Sequence, residues 1–312
     1  MVINLIQNGI TNFNNMKHEH IPFINNYEPV VKSIRLHAKN YLINSGRQSV
    51  VLGISGGIDS ALVAALIRPV CDEIGIRLIG MSLPSSTNSS EESIRANYVG
   101  MDFCHEFSIL NINEMYVYLS GRIENSTRFT YYALKQETEQ EYNIRQGNIK
   151  ARLRMIALFN LAQLHKGLVL STDNWTELLL GFWTLHGDVG NYGMIQYLWK
   201  TEVYNLSEHL CETELKGSKR ADSLRSCIEC HATDGLGVSK SDLDQIMPDW
   251  EQRHKTTRSG YQEVDEALQL YLRTGVKPFG YDQIINRYTR TEFKRQDPSS
   301  ISREDLLILN AK

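Results

Sequence analysis

The chain has 312 residues, 42% of them hydrophobic and 22% charged, with a formal net charge of −3. That composition suits a globular chain with a full core, and its mild acidity offers no bulk attraction to nucleic acid. No apolar run approaches the ~20 residues of a membrane span, the N-terminal segment lacks the basic start and apolar core of a signal peptide, and five cysteines form no disulfide framework, so a cytoplasmic location is expected. In chain order, Ser49–Ile54 is an apolar strand. A helix runs from Ser60 to Ile67, and Pro69 is expected to kink or end it. Ile76–Leu83 is a second strand, Ser89–Phe103 a helix and Glu106–Leu110 a short third strand. The polar stretch 124–146 has weak patterning and reads as a lid or a partly helical connection. Gly147–His165 is a helix with Ile149, Leu153, Ile156, Leu158 and Leu161 on its apolar stripe. Leu168–Thr172 is a further strand, another helix starts at Asn174, and the chain reads as helical after Lys200.

Strands alternating with helices imply an α/β fold, a doubly wound open parallel sheet flanked by helices, with extra helices at both ends of the chain. One domain is expected over residues 1–312, its core over about 46–300 and residues 1–25 peripheral.

The first strand runs into Ser55-Gly56-Gly57-Ile58-Asp59-Ser60. Glycines at a strand-to-helix junction let backbone N–H groups approach an anion at the positive end of the helix dipole. Ser55 and Ser60 add hydroxyls. The P-loop and Rossmann spacings are both absent. Asp59 would repel a phosphate unless a bound Mg²⁺ intervenes. The bland alternative, a tight glycine turn before a core helix, accounts for neither the two serines nor the aspartate.

"SGGIDS" resembles the pyrophosphate loop of the N-type ATP pyrophosphatases, which include NAD, GMP, asparagine and argininosuccinate synthetases and several tRNA-thiolating enzymes. Four later segments, Gly147–Met155, Leu168–Asp188, Leu198–Leu206 and Ala232–Gly237, are similar in order and spacing to NAD synthetases, as is the basic tail Thr291–Pro298. The resemblance implies an adenine nucleotide alpha hydrolase-like fold and a two-step ligase. The nicotinate carboxylate of deamido-NAD attacks the α-phosphate of ATP, pyrophosphate leaves, and ammonia displaces AMP from the acyl-adenylate. It also implies ATP contacts at Gly53, Ser55, Gly56, Gly57, Asp59, Ser60, Thr172, Lys200 and Thr233, and Mg²⁺ between Asp59 and Glu177. Deamido-NAD contacts fall at Arg152, Phe182 and Lys294. Asp59, Asp188 and Lys200 are the expected catalytic residues, with Asp188 near the reacting carboxyl group. Small-molecule substrates and a homodimer are implied, with neither nucleic acid nor membrane as partner. Locally, Glu177 also suits an ordinary helix N-terminal acid, and Arg152 and Arg154 an ordinary solvated helix face.

The chain departs from the family on the side of the second substrate. Leu185 stands where a lysine is usual, Asn191 or Tyr192 where an aspartate is usual, and Phe293 where a histidine is usual. Either the same dinucleotide is held by other contacts, which is the preferred expectation, or the substrate is nicotinate mononucleotide. Residues 1–54 leave no room for a glutaminase domain of the nitrilase type, so ammonia dependence is expected. Cys211, Cys227, Cys230 and His231 form a conceivable zinc set, and the Cys227/Cys230 pair raises tRNA thiolation as a rival. Cysteines acting as small apolar groups are the expected reading. A non-catalytic nucleotide sensor would have lost Asp59 and Glu177, and both are present.

Overall fold

The computed structural model describes residues 22–126, 137–230, 239 and 241–295. Its sheet is built on β1 (Ser49–Gly53), which pairs in parallel with β2 (Arg77–Ser82) on one side and β4 (Gly167–Ser171) on the other. β3 (Glu106–Ile109) adds to β2, and the two-residue β5 (Tyr192–Gly193) adds to β4. The order is β3-β2-β1-β4-β5, all parallel. The chain reverses direction across the sheet between β1 and β4, and ligands of open α/β sheets bind in the crevice at such a point.

Both faces are covered, which is why the strands read as continuous apolar runs. Successive side chains of β1 point to opposite faces. Val50 and Leu52 join the larger core with α2 (Ile58–Ile74), α1 (Glu28–Ser45) and α3 (Ser90–Phe103). Val51 joins a second cluster with Ile79, Val169, and Met155, Leu158 and Ala162 of α5 (Glu139–Leu164). Between α3 and α5 lies α4 (Asn113–Ser126), an element not expected from the sequence, which buries none of its residues. After β4 come α6 (Trp175–Leu180), α7 (Lys200–Glu212), α8 (Lys219–Ile228), α9 (Asp242–Ile246), α10 (Trp250–Arg253), α11 (Thr257–Thr274), α12 (Asp282–Arg290) and a 3-10 turn, Glu292–Arg295. The expected helical C-terminal part is thus observed among the described residues.

Three local expectations give way to tertiary contacts. First, α2 does not end near Pro69 but continues to Ile74. Proline withholds the N–H that the carbonyl four residues earlier would accept. Here Arg35 of α1 donates instead, from Nη2 to Ala65 O at 3.4 Å and from Nε to Leu66 O at 3.3 Å. Second, α5 starts at Glu139 rather than Gly147, because Thr138 and Glu141 form a capping box. Residues 139–146 of the expected lid are therefore helical, and residues 127–136 lie outside the described residues. Third, Ile156 is 65% exposed. The buried residues of α5 are Gln146, Gly147, Lys150, Ala151, Met155, Leu158 and Ala162, and of these Met155, Leu158 and Ala162 cluster with Val51, Ile79 and Val169 of the sheet.

Arg35→Met should destabilise the protein by about 1–3 kcal/mol, the cost of leaving a buried carbonyl unsatisfied. In a Pro69→Ala background, where the helical N–H is restored, that cost should shrink. Urea denaturation of the four-member cycle measures the coupling, and additive costs would show that Arg35 does not serve these carbonyls.

Candidate active site

The loop after β1 is held by its own hydroxyls. Gly57 N–H donates to Ser55 Oγ at 3.1 Å, Ser55 N–H to Ser60 Oγ at 3.3 Å, and Ser60 Oγ to Gly57 O at 3.1 Å. Gly56 has φ +83°, and a Cβ there would lie 2.3 Å from Glu92 O of α3, so only glycine fits. Arg95 Nε donates to Gly56 O at 3.0 Å. Gly57 caps α2 with no side-chain hydrogen bond, which leaves first-turn N–H groups available to an anion.

Asp59 at the start of α2 and Glu177 on α6 converge on the Lys200 ammonium, Asp59 Oδ2 at 2.5 Å and Glu177 Oε1 at 2.8 Å. Lys200 is 3% exposed at its side chain. Burial alone would lower its pKa, but Asp59 and Glu177 outweigh that and raise it well above the ordinary lysine value. Burial, then the Asp59 charge, raises Glu177, with Lys200 pulling the other way. Asn174 braces both acids: its Nδ2 donates to Asp59 Oδ1 at 2.8 Å, and its Oδ1 accepts from Glu177 N–H at 3.0 Å. Behind them lies Asp265 of α11, fully buried. It accepts from Thr176 Oγ1 at 2.5 Å, Thr201 N–H at 2.8 Å and Thr201 Oγ1 at 2.6 Å. Thr176 Oγ1 also accepts from Lys200 N–H at 2.9 Å. The neighbours of Glu177 and of Lys200 thus share one buried carboxylate, which burial pushes up to about 7.

At the other end of the crevice, Asp188 Oδ2 accepts from Thr184 N–H at 2.5 Å, across a tight turn in which His186 is left-handed at φ 59°. Burial raises Asp188, opposed by that N–H, Arg154 and Lys294. Asp173 is raised well above the carboxylate range by burial, then by Asp188, Glu177 and Asp59. Lys294 Nζ donates to Gly181 O at 2.7 Å and to Trp183 O.

One cavity of about 370 Å³ unites these groups. It is lined by Gly53, Ser55, Gly56, Gly57, Asp59 and Ser60 together with Thr172, Glu177, Phe182, Asp188, Lys200 and Lys294, so twelve of the fourteen residues expected from the sequence meet there. Arg152 is the exception among the described residues: it is exposed, lines only an adjoining groove of about 810 Å³, and donates to Leu185 O at 3.1 Å. Thr233 and His231 lie outside the described residues. Leu185 lines only the groove, and neither Asn191, Tyr192 nor Phe293 lines cavity or groove. Asn191 Oδ1 accepts from Val169 N–H at 2.9 Å, and Tyr192 stacks on Tyr41 of α1, so both serve the sheet edge. Among the described residues no group of three His, Cys, Asp or Glu is placed to hold a metal, so the zinc set finds no support.

The sequence reading missed Arg95, Arg154, Asp173 and Arg287, all of which line the cavity. Asp173 follows Thr172 at the end of β4 and could have been taken from the strand-end rule. Arg154 donates from Nε to Leu83 O at 3.0 Å, whereas Arg152, two residues earlier, faces outward. Arg287 on α12 has no local signal.

The profile of the NAD synthase family matches residues 30–298. The chain belongs to that family. Family members are ligases that form carbon–nitrogen bonds with ATP as co-substrate, and this chain is such an enzyme. It is 35% identical to an NH(3)-dependent NAD(+) synthetase of Campylobacter jejuni, over 82% of this chain and 90% of that protein. It is 27% identical to the glutamine-dependent NAD(+) synthetase of Aquifex aeolicus, over 86% of this chain but only 44% of that protein. Among solved structures, an NMN synthetase of Francisella tularensis superposes with a TM-score of 0.68 over 89% of this chain and 100% of that chain, at 22% identity, a likeness of fold. No helix among the described residues is long and apolar enough to cross a membrane.

Lys200→Met should leave two carboxylates facing each other with no cation between them and lower stability by about 3–5 kcal/mol. Millimolar magnesium should raise the melting temperature of this variant more than that of the wild type. Equal shifts would mean that Asp59 and Glu177 do not hold the ion.

Proposed function

We propose that this chain amidates deamido-NAD with ammonia, at the expense of ATP, to give NAD, AMP and pyrophosphate. The supporting observation is that one cavity joins a pyrophosphate-type loop to a second end carrying Asp188, Phe182 and Lys294. The nicotinate carboxylate attacks the α-phosphorus, the bond to the β-phosphate oxygen breaks, and pyrophosphate leaves with that electron pair. Ammonia then attacks the acyl carbon, AMP leaves, and one proton is given up. The loop N–H groups and Lys200 receive the charge of the leaving pyrophosphate, an electrostatic role that needs no covalent enzyme intermediate. Asp188, made more basic by burial, takes the proton that ammonia loses in this reading.

Asp59 and Glu177 suit Mg²⁺, since their oxygens already converge on one cation and oxygen is the ligand that ion prefers. Bound there with phosphate oxygens, the ion would supply charge neutralisation for the departing pyrophosphate.

A second reading, amidation of nicotinate mononucleotide, is favoured by one observation. Asn191 and Tyr192, which stand where the family has an acidic contact to the dinucleotide, are spent on β4 and α1. The tRNA-thiolating alternative gains nothing from the cysteines. Cys227 donates to Gly56 O at 3.5 Å and burial pushes it up to about 12, and burial also raises Cys230, so neither thiol is poised as a thiolate. A homodimer is supported by the exposed apolar residues Val117 and Tyr118 on α4 and Ile156, Phe159 and Leu164 on α5. Sedimentation velocity should give a two-chain mass.

Pyrophosphate release from ATP should require a nicotinate nucleotide and ammonium together. A strong preference for the mononucleotide over deamido-NAD would select the second reading, and glutamine supporting the rate as well as ammonium would overturn ammonia dependence. Burial, then the Arg287 charge, pushes Lys294 down to about 8. Its cation is therefore lost at lower pH than an exposed lysine's, and kcat/KM for the acid substrate should fall as pH rises through about 8, by at most tenfold per unit. A flat profile from pH 7 to 9 would remove Lys294 from substrate binding.

A further inference from the structure

Arg287 lies on α12, far in sequence from every motif above, yet its side chain lines the cavity beside Lys294 and Phe182. Its Nε donates to Leu180 O at 2.9 Å and its Nη1 to Gln245 Oε1 at 3.0 Å. The guanidinium carbon lies 3.7 Å from the centroid of the Phe182 ring. The Nη2 donors have no partner among the described residues, and the group forms no ion pair there. Burial pushes Arg287 down to about 10, with Asp242 opposing the shift and Arg290 adding to it. A half-buried guanidinium held, among the described residues, by a carbonyl, an amide and a ring, with Asp242 near it but not ion-paired, is short of a counter-ion, which is a costly state for a structural residue. Lys294 is close enough to be lowered by the same charge. Two half-buried cations thus line one end of the cavity, where Leu185 and Phe293 supply none.

We propose that Arg287 is a substrate-binding residue, its free Nη2 face acting with the Lys294 ammonium to receive an oxyanion of the acid substrate, either the carboxylate or the phosphate of the nicotinate nucleotide. This rests on the ligase reading above and deepens it. The triphosphate of ATP is a poorer occupant. It is served by the loop and Lys200, whereas Arg287 and Lys294 lie with Phe182 and Asp188 at the other end of the cavity. A guanidinium suits an oxyanion better than an ammonium would, since its planar fork can donate to two oxygens at once. Its fixed charge also persists above the pH at which Lys294 loses its own.

The experiment compares wild type, Arg287→Met and Arg287→Lys by steady-state pyrophosphate release with deamido-NAD and with nicotinate mononucleotide. Arg287→Met should raise KM for the acid at least tenfold and leave KM for ATP within twofold, and Arg287→Lys should recover part of the loss. Two competitive inhibitors separate the oxyanions: nicotinate carries only the carboxylate, and nicotinamide mononucleotide only the phosphate. The inhibitor whose Ki rises in Arg287→Met carries the bound group. If neither Ki nor the KM for the acid changes while the melting temperature falls, Arg287 only braces Leu180 and Gln245, and the proposal is overturned; an equal rise in KM for ATP overturns it too. Calorimetric binding of nicotinate mononucleotide to wild type and Arg287→Met keeps the two readings apart. Binding weakened by the substitution, without pyrophosphate release by the wild type, would sink the ligase reading and leave the Arg287 site standing.

Discussion

The Lys200 ammonium, 3% exposed, lies between Asp59 and Glu177, and three separate stretches of chain are held in register by it. Asp59 opens α2 after β1, Glu177 stands in the first turn of α6 after β4, and Lys200 opens α7. A buried ammonium has to be matched by nearby negative charge, and two carboxylates so close together need a cation between them. The cluster therefore ties the two loops at the switch point of the sheet to the helical C-terminal part. Asp265 extends the tie by accepting from Thr176 and Thr201, the neighbours of Glu177 and Lys200. What keeps the loops in place is thus a pair of acids that present their oxygens to one positive charge.

The rest of the cavity follows from the same economy of buried charge. Asp173 is held above the ordinary carboxylate range by burial and then by the Asp188 charge, Asp188 by burial, and Lys294 and Arg287 below their ordinary values by burial. Such opposed displacements in one cleft are the pattern of a site waiting for charged reactants. The four positions expected from the sequence to depart from the family all fall outside that cavity. Asn191 and Tyr192 have become sheet-edge residues, and Phe293 is 64% exposed. The cations that line that end of the cavity with Phe182 are Lys294 and Arg287 of α12.

Much of the site was legible because it is written in short contiguous runs. Ser55–Ser60 sits between an apolar strand and a helix, and Thr172 and Glu177 follow the next strand, so the strand-end rule alone brings them together. Arg152 and Arg154 could not be told apart in the same way. They stand two residues apart on one helix, and the packing of Met155, Leu158 and Ala162 against the sheet decides that Arg154 faces the cavity and Arg152 the groove. Pro69 shows the same limit for backbone: the local rule ends a helix there, and a guanidinium from α1 overrides it.

By itself, then, the sequence determined the alternating α/β order, the glycine–serine loop between β1 and α2, and the carboxylates and lysine that meet beside it. These depend on neighbours in the chain, on the periods of strands and helices, and on the backbone freedom of glycine. Only the tertiary structure decided that Arg287, Asp173 and Asp265 belong to the site, that Asn191 and Tyr192 do not, and which arginine of α5 looks inward. Those outcomes depend on which surfaces bury one another, and a buried charge acquires its role from partners far away in sequence.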